Sequence, residues 1–200
     1  WVRSGGRAGS ADEDNDAQIG GGTMELWAGV SSKVNLGRPA AEAVMPTSDE
    51  VDFITGASMI ASRRFYETVG PMREDYFLYY EEADWALRRG KMPLVVAPDL
   101  IVYHHAGTAI GSPTFSRVAS PFSFWFKYRS RMLFVRRFNP IGLPVAMAYA
   151  TLKAGQLLLQ GARPQALTLL RAVWGMGAPG EVRDKLSPEA QRIAFGRASK

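Results

Sequence analysis

Cysteine is absent from this 200-residue chain. Its absence excludes a disulfide framework and any thiolate metal or redox chemistry, and it is compatible with a reducing compartment. Long apolar runs are also missing. A membrane-spanning helix needs about 18–20 uninterrupted apolar residues. The nearest approach, "NPIGLPVAMAYATL" at 139–152, holds two prolines and ends at Lys153. Histidine occurs only as the adjacent pair His104 and His105. Acidic residues are scarce in one half. Residues 1–105 carry 10 Lys and Arg against 16 Asp and Glu, whereas residues 106–200 carry 14 against 3. The second half is therefore net +11 within a chain of net +5. Such a half suits an anionic partner, whether a membrane surface, a nucleic acid or a phosphorylated ligand, or simply a solvated cationic surface.

The chain opens on Trp1 rather than Met, which predicts a start internal to a longer polypeptide. Residues 1–22 are rich in Gly, Ser, Asp and Asn and read as loop or partly disordered chain. "VDFITGASMIAS" (51–62) reads as a buried strand, interrupted at Gly56 by a close approach of backbone. "RRFYETVG" (63–70) reads as a short helix with Phe65, Tyr66 and Val69 on one face, stopping at Gly70 and Pro71. Residues 81–90 predict a helix with carboxylates in its first turn, where the helix dipole favours them, and with Asp84 and Arg88 spaced for an ion pair. "MPLVVAPDLIVYHH" (92–105) predicts one or two strands broken at Pro98. Beyond residue 115, helices are expected over 121–140, 143–160 and 164–175. A last helix starts after Ser187, with Pro188 at its first position.

The densest chemistry lies in "YFLYYEEADWALR" (76–88). Clustered carboxylates bind a hard cation, act as a general base, or orient a hydroxyl. Glu81 and Glu82 point about 100° apart on a helix, so one faces a pocket while the other packs or caps. Asp84 shares the face of Glu81. The flanking rings would desolvate a carboxylate and raise its pKa towards useful base strength. An acidic first turn on a surface helix accounts for the same spacing. Either histidine is a metal ligand or a strand-end residue, and neighbours on a strand point to opposite faces.

Taken in order, "VDFITGASMIASRRFYETVGPMREDYFLYYEEADWALRRG" and "LVVAPDLIVYHHAGTAIGS" resemble the acceptor-side half of a family-2, GT-A-type bacterial glycosyltransferase of the rhamnosyltransferase-like branch. The likeness covers about residues 51–112 and continues more weakly through "FKYRSRMLFVRRFNP". It implies an α/β fold, the second half of a GT-A (Rossmann-like, mixed-sheet) architecture, followed by a basic amphipathic helical region. The implied divisions are 1–50 as lead-in from a nucleotide-binding half, 51–115 as catalytic segment and 116–200 as a membrane-associating helical region.

The resemblance implies that Glu82 is the general base of an inverting transfer from a nucleotide-sugar donor to a hydroxyl of a glycan or lipid-linked acceptor. Glu81, Asp84 and Trp85 then shape the acceptor pocket, and Gly56 and Ala57 bring backbone close to substrate. His104 would help hold Mg²⁺ or Mn²⁺. Three positions depart from the pattern: Glu82 stands where relatives carry Asp, Arg73-Glu74 where they carry Asp-Glu, and Arg129-Ser130 where they carry Arg-Asn. The longer Glu82 moves the reactive oxygen by about 1–1.5 Å. The family's D-x-D motif has no counterpart on a strand; Asp12 and Asp14 match it only by letters. The chain therefore reads as one half of an enzyme, incomplete and inactive by itself.

The basic and aromatic residues of 121–138 fit a helix lying in the headgroup layer, with rings in lipid and Lys127, Arg129, Arg131, Arg136 and Arg137 near phosphates. They equally fit a helix packed on the rest of the fold. The membrane reading implies a cytoplasmic protein, peripheral at the inner face of the plasma membrane. A non-catalytic membrane-docking or binding module is the alternative function. Nucleic-acid binding lacks a supporting motif.

Overall fold

The computed structural model describes residues 2–5, 8–9, 16–18, 21–34, 38–39, 44, 46–97, 102–103, 111 and 118–196, with backbone alone in 2–5, 8–9, 16–18, 38–39 and 102–103. The chain is mixed α/β and divides into two compact units. The first comprises residues 1–25, 31–73 and 82–106; the second comprises 26–30, 74–81 and 107–200.

The first unit carries three small sheets. β1 (Val2–Gly5) lies between β8 (Met59–Ala61), antiparallel to it, and β9 (Leu94–Ala97), parallel to it. β2 (Ala8–Gly9), β3 (Asp16–Gln18), β6 (Arg38–Pro39) and β10 (Val102–Tyr103) form a second sheet in the order β10-β2-β3-β6. β4 (Gly21–Glu25), β5 (Val30–Lys33) and β7 (Phe53–Ile54) form a third, with β4 central. Residues 1–22, read from sequence as loop or partly disordered chain, thus hold three short strands and the start of β4. Their composition is poor in β-formers, so pairing partners distant in sequence supply the order that propensity does not.

The single strand expected over 51–62 is two strands in two different sheets, β7 and β8, joined by a turn through Gly56 and Ala57. Gly56 is exposed, and a Cβ placed there would meet nothing within 4 Å. Among the described residues, no side chain or backbone closes on this position, and the residue lies in a turn.

α1 (Arg63–Val69) starts as its sequence indicates. The Ser62 hydroxyl accepts from the Phe65 amide at 3.1 Å, and Gly70 takes a positive φ of 80° at the C-terminus. Phe65 is buried, but Tyr66 is 54% exposed, so the buried face is narrower than the three-residue stripe expected. α2 (Glu81–Leu87) follows a short 3-10 helix, Glu74–Tyr76.

The second unit is built on helices. α3 (Pro121–Phe138), α4 (Leu143–Leu159) and α5 (Arg163–Val173) pack on one another, with the shorter α6 (Gly180–Arg183) and α7 (Pro188–Phe195) after them. Ser120 and Ser187 cap α3 and α7 by accepting from the Ser123 and Ala190 amides. Small residues Ala146, Ala150 and Ala154 bring α4 close to its neighbours, beside Leu157 and, on α5, Leu169.

The α3 rings occupy the core of this unit. Phe122, Trp125, Phe126, Tyr128 and Phe134 are all buried. Of the two arrangements the sequence left open for these rings, lipid-facing or packed, the structure has the packed one, because the same helical period that would line rings towards lipid lines them towards neighbouring helices. None of the described helices is long and apolar enough to cross a membrane.

Candidate functional site

Within the second unit, residues 74–81 form an unusual piece of backbone. Phe77, Tyr79 and Tyr80 adopt φ values of 62°, 67° and 72°. Left-handed conformation costs a non-glycine residue about 1–2 kcal/mol, because Cβ crowds the following carbonyl. Three large aromatics held so within four positions require surrounding interactions that outweigh the strain.

α3 supplies those interactions. Arg129 Nη1 donates to the Asp75 carbonyl at 2.8 Å, and the Ser130 hydroxyl reaches the carbonyls of Tyr76 at 3.2 Å and Leu78 at 2.8 Å. Arg137 donates to the Tyr76 hydroxyl at 2.8 Å and pairs with Asp75 Oδ2 at 2.9 Å. Tyr79 and Ser123 share a hydroxyl–hydroxyl bond of 2.7 Å. Phe77 packs on Phe126, and Tyr80 on Phe134, with centroids 5.0 and 5.3 Å apart.

Arg131 is buried within this frame, 3% exposed. Its Nε donates to the Tyr80 hydroxyl at 2.9 Å, and Tyr80 in turn donates to the Gly29 carbonyl at 2.6 Å. The guanidinium lies 4.7 Å from the Tyr128 ring centroid and 5.2 Å from that of Tyr149, a cation–π arrangement on two faces. Burial pushes the Tyr128 phenol up to about 12, against the opposing field of Arg131. Gly29 has φ of 65°, and a Cβ there would lie 2.5 Å from Val135 Cγ2. Glycine is thus required twice at that position, for its backbone angle and for the space.

The aromatic run leads into the first turn of α2. Glu81 is half-buried; its Oε2 is buried and bonds to no described residue. Burial raises the Glu81 carboxyl above its ordinary value, with its own backbone amide pulling the other way. Glu82 is also half-buried.

Asp84 and Trp85, on the part of α2 in the first unit, are committed to other bonds. Asp84 is fully buried, and its Oδ1 accepts from Arg88 Nε at 2.6 Å, the i,i+4 pair expected from spacing. Arg88 then donates to the carbonyls of Val69 at 2.8 Å and Pro71 at 3.0 Å. Trp85 Nε1 donates to the Gly70 carbonyl at 2.8 Å, and its ring meets Phe65 edge-on at 4.8 Å. Together these groups satisfy the carbonyls left open at the end of α1. The first-turn carboxylates Glu81 and Glu82 therefore adjoin a segment whose polar groups serve structure. Asp52 plays a comparable part: its Oδ2 accepts from the Met24 amide at 2.8 Å, and its carbonyl from Arg89 at 3.2 Å.

Gly56 and Ala57 sit in the β7–β8 turn described above. His104, and with it His105, Asp12 and Asp14, lies outside the described residues. Among the described residues, no three His, Asp or Glu side chains stand close enough together to hold a metal ion. Sequence reasoning identified the acidic block but missed the support that Ser123, Ser130, Arg131 and Arg137 give the 75–80 segment preceding it. The missing signal was the positive φ of the aromatic run, which leaves no mark in residue type when the residues are not glycine. The chain matches no protein-family model and no curated protein sequence.

Proposed function

We propose that this chain is the acceptor-side part of an inverting glycosyltransferase, with Glu82 as general base. The observation that carries the reading is the strained aromatic run of Phe77, Tyr79 and Tyr80, held by α3 and leading directly into the turn of Glu81 and Glu82. Strain of this kind collects where side chains must be held at a required position. In the proposed step the Glu82 carboxylate takes the proton of an acceptor hydroxyl. The freed oxygen pair attacks the anomeric carbon of a nucleotide sugar, and the bond to the departing nucleoside diphosphate breaks on the opposite side, inverting the centre. In this reading Glu81, whose carboxyl pKa is raised by burial, helps shape the acceptor pocket. The GT-A architecture, the lipid-linked or glycan acceptor and the divalent cation rest on the sequence resemblance alone.

The test is nucleoside-diphosphate release from a panel of nucleotide sugars by the gene-encoded polypeptide, with and without lipid-linked glycan acceptors. Glu82→Gln is expected to lower transfer by about 10²–10⁴-fold with donor binding retained. Unchanged turnover in that variant would remove Glu82 from the role. A non-catalytic binding module is the competing reading, and the structural bonding of Asp84 and Trp85 favours it. Acceptor binding without diphosphate release from any donor would support that module.

A further inference from the structure

The second unit has an apolar face that its own packing does not cover. Ile141, Val145, Ala148, Leu152, Gly155 and Leu159 recur at steps of four and three residues, which places them on one line along α4 and the short 3-10 turn before it. All six are exposed, Ile141 to 77%, Leu152 to 76% and Leu159 to 92%. The line runs for about 27 Å at 1.5 Å per residue. Beside it the Thr151 hydroxyl donates to the Met147 carbonyl, and Lys153 to Gln156. On α5 a second exposed face alternates Arg163, Leu167, Arg171 and Trp174.

Charge narrows the choice of partner. Residues 121–180 contain eight Lys and Arg and not one Asp or Glu. A second copy docked symmetrically on these faces would bring Arg163 and Arg171 towards their own counterparts, while the first carboxylate beyond α5, Glu181, is already engaged by the buried Thr168 hydroxyl. A surface that is apolar beneath and anionic above answers both features. Aliphatic side chains enter the acyl boundary, Trp174 sits at headgroup depth, and arginines reach lipid phosphates.

We propose that the exposed faces of α4 and α5 dock this chain on an anionic lipid bilayer, lying in its interface. α3, whose rings are buried, takes no part. The docking stands independently of the transfer chemistry proposed for Glu82.

Co-sedimentation of the full chain with two kinds of vesicle tests it: phosphatidylcholine alone, and phosphatidylcholine mixed with phosphatidylglycerol. The chain is expected to sediment with the anionic vesicles and to stay in solution with the neutral ones. Leu152→Gln combined with Leu159→Gln, both at exposed positions, should keep the thermal melt of the parent and weaken anionic-vesicle binding by about tenfold or more. Arg163→Gln and Arg171→Gln should each weaken it about fivefold and flatten its salt dependence. Glu82→Gln should leave vesicle binding unchanged, so that loss of transfer and loss of docking are read separately. Equal binding by the paired leucine variant overturns the proposal, as does equal binding to neutral and anionic vesicles. A concentration-dependent dimer abolished by the leucine pair, without vesicle binding, also overturns it in favour of a homotypic interface.

Discussion

The Ser130 hydroxyl lies 2.8 Å from the Leu78 carbonyl oxygen, to which it donates. It joins the middle of α3 to the middle of a backbone segment in which three aromatics are left-handed. The same hydroxyl reaches the Tyr76 carbonyl at 3.2 Å, so one hydrogen is shared between two acceptors. Ser130→Ala leaves both carbonyls without this donor. We expect a loss of about 1–3 kcal/mol in urea unfolding and, since the strained run loses its support, a fall in transfer larger than Ser130→Thr produces. Equal stability of the alanine variant would show that packing alone holds the run.

Tyr80 is both acceptor for Arg131 and donor to Gly29. Tyr80→Phe keeps the ring against Phe134 but removes both bonds, leaving a buried guanidinium N–H and a buried carbonyl unpaired. Destabilisation of about 1–3 kcal/mol is expected for each group so exposed to the interior. Chemical denaturation measures the sum. A variant as stable as the parent would mean that the cation–π contacts with Tyr128 and Tyr149 suffice.

Asp84→Ala removes the acceptor of an ion pair whose carboxylate is buried and whose guanidinium is partly exposed, and frees Arg88 from its geometry. The expected loss is about 1–3 kcal/mol, that of removing one hydrogen-bond partner, since Arg88 keeps its carbonyl contacts and reaches solvent. Arg88→Met, which withdraws the cation and both carbonyl contacts at the end of α1, should also destabilise. In a double-mutant cycle, Asp84→Ala with Arg88→Met should fall well short of the sum of the two single losses. Additive losses would indicate that the two side chains act separately.

Glu81 titrates with a pKa raised by burial above the ordinary glutamate value of 4.5. A carboxyl raised on folding binds its proton more tightly in the native state. The stability it contributes is complete below the unfolded value and is lost as pH rises through the native one. Glu81→Gln keeps the neutral form at every pH. The melting temperature of this variant should match the parent in acid and exceed it progressively as pH rises above the ordinary glutamate value. A difference between the two that does not vary with pH would contradict a buried, raised carboxyl.

The helical elements were largely legible from residue order. Ser62, Ser120 and Ser187 cap helices, Gly70 ends one, and Asp84 finds Arg88 one turn on, because these are contacts between near neighbours and depend on local spacing. Non-local pairing was not legible. Residues 51–62 divide between two sheets, and Val2–Gly5 becomes a central strand, since a partner distant in sequence decides whether a marginal segment pairs. The α3 pattern of rings and arginines was compatible with lipid or with a protein core. Only packing assigned its rings to the core and its Arg129, Ser130 and Arg131 to the 75–80 backbone and Tyr80. The sequence by itself determined where carboxylates and cations stand along the chain. Tertiary structure decided that Asp84 and Trp85 serve the end of α1, and that Phe77, Tyr79 and Tyr80 are held in an unfavourable backbone region. That region becomes accessible only when α3 returns more in hydrogen bonds and ring contacts than the strain costs.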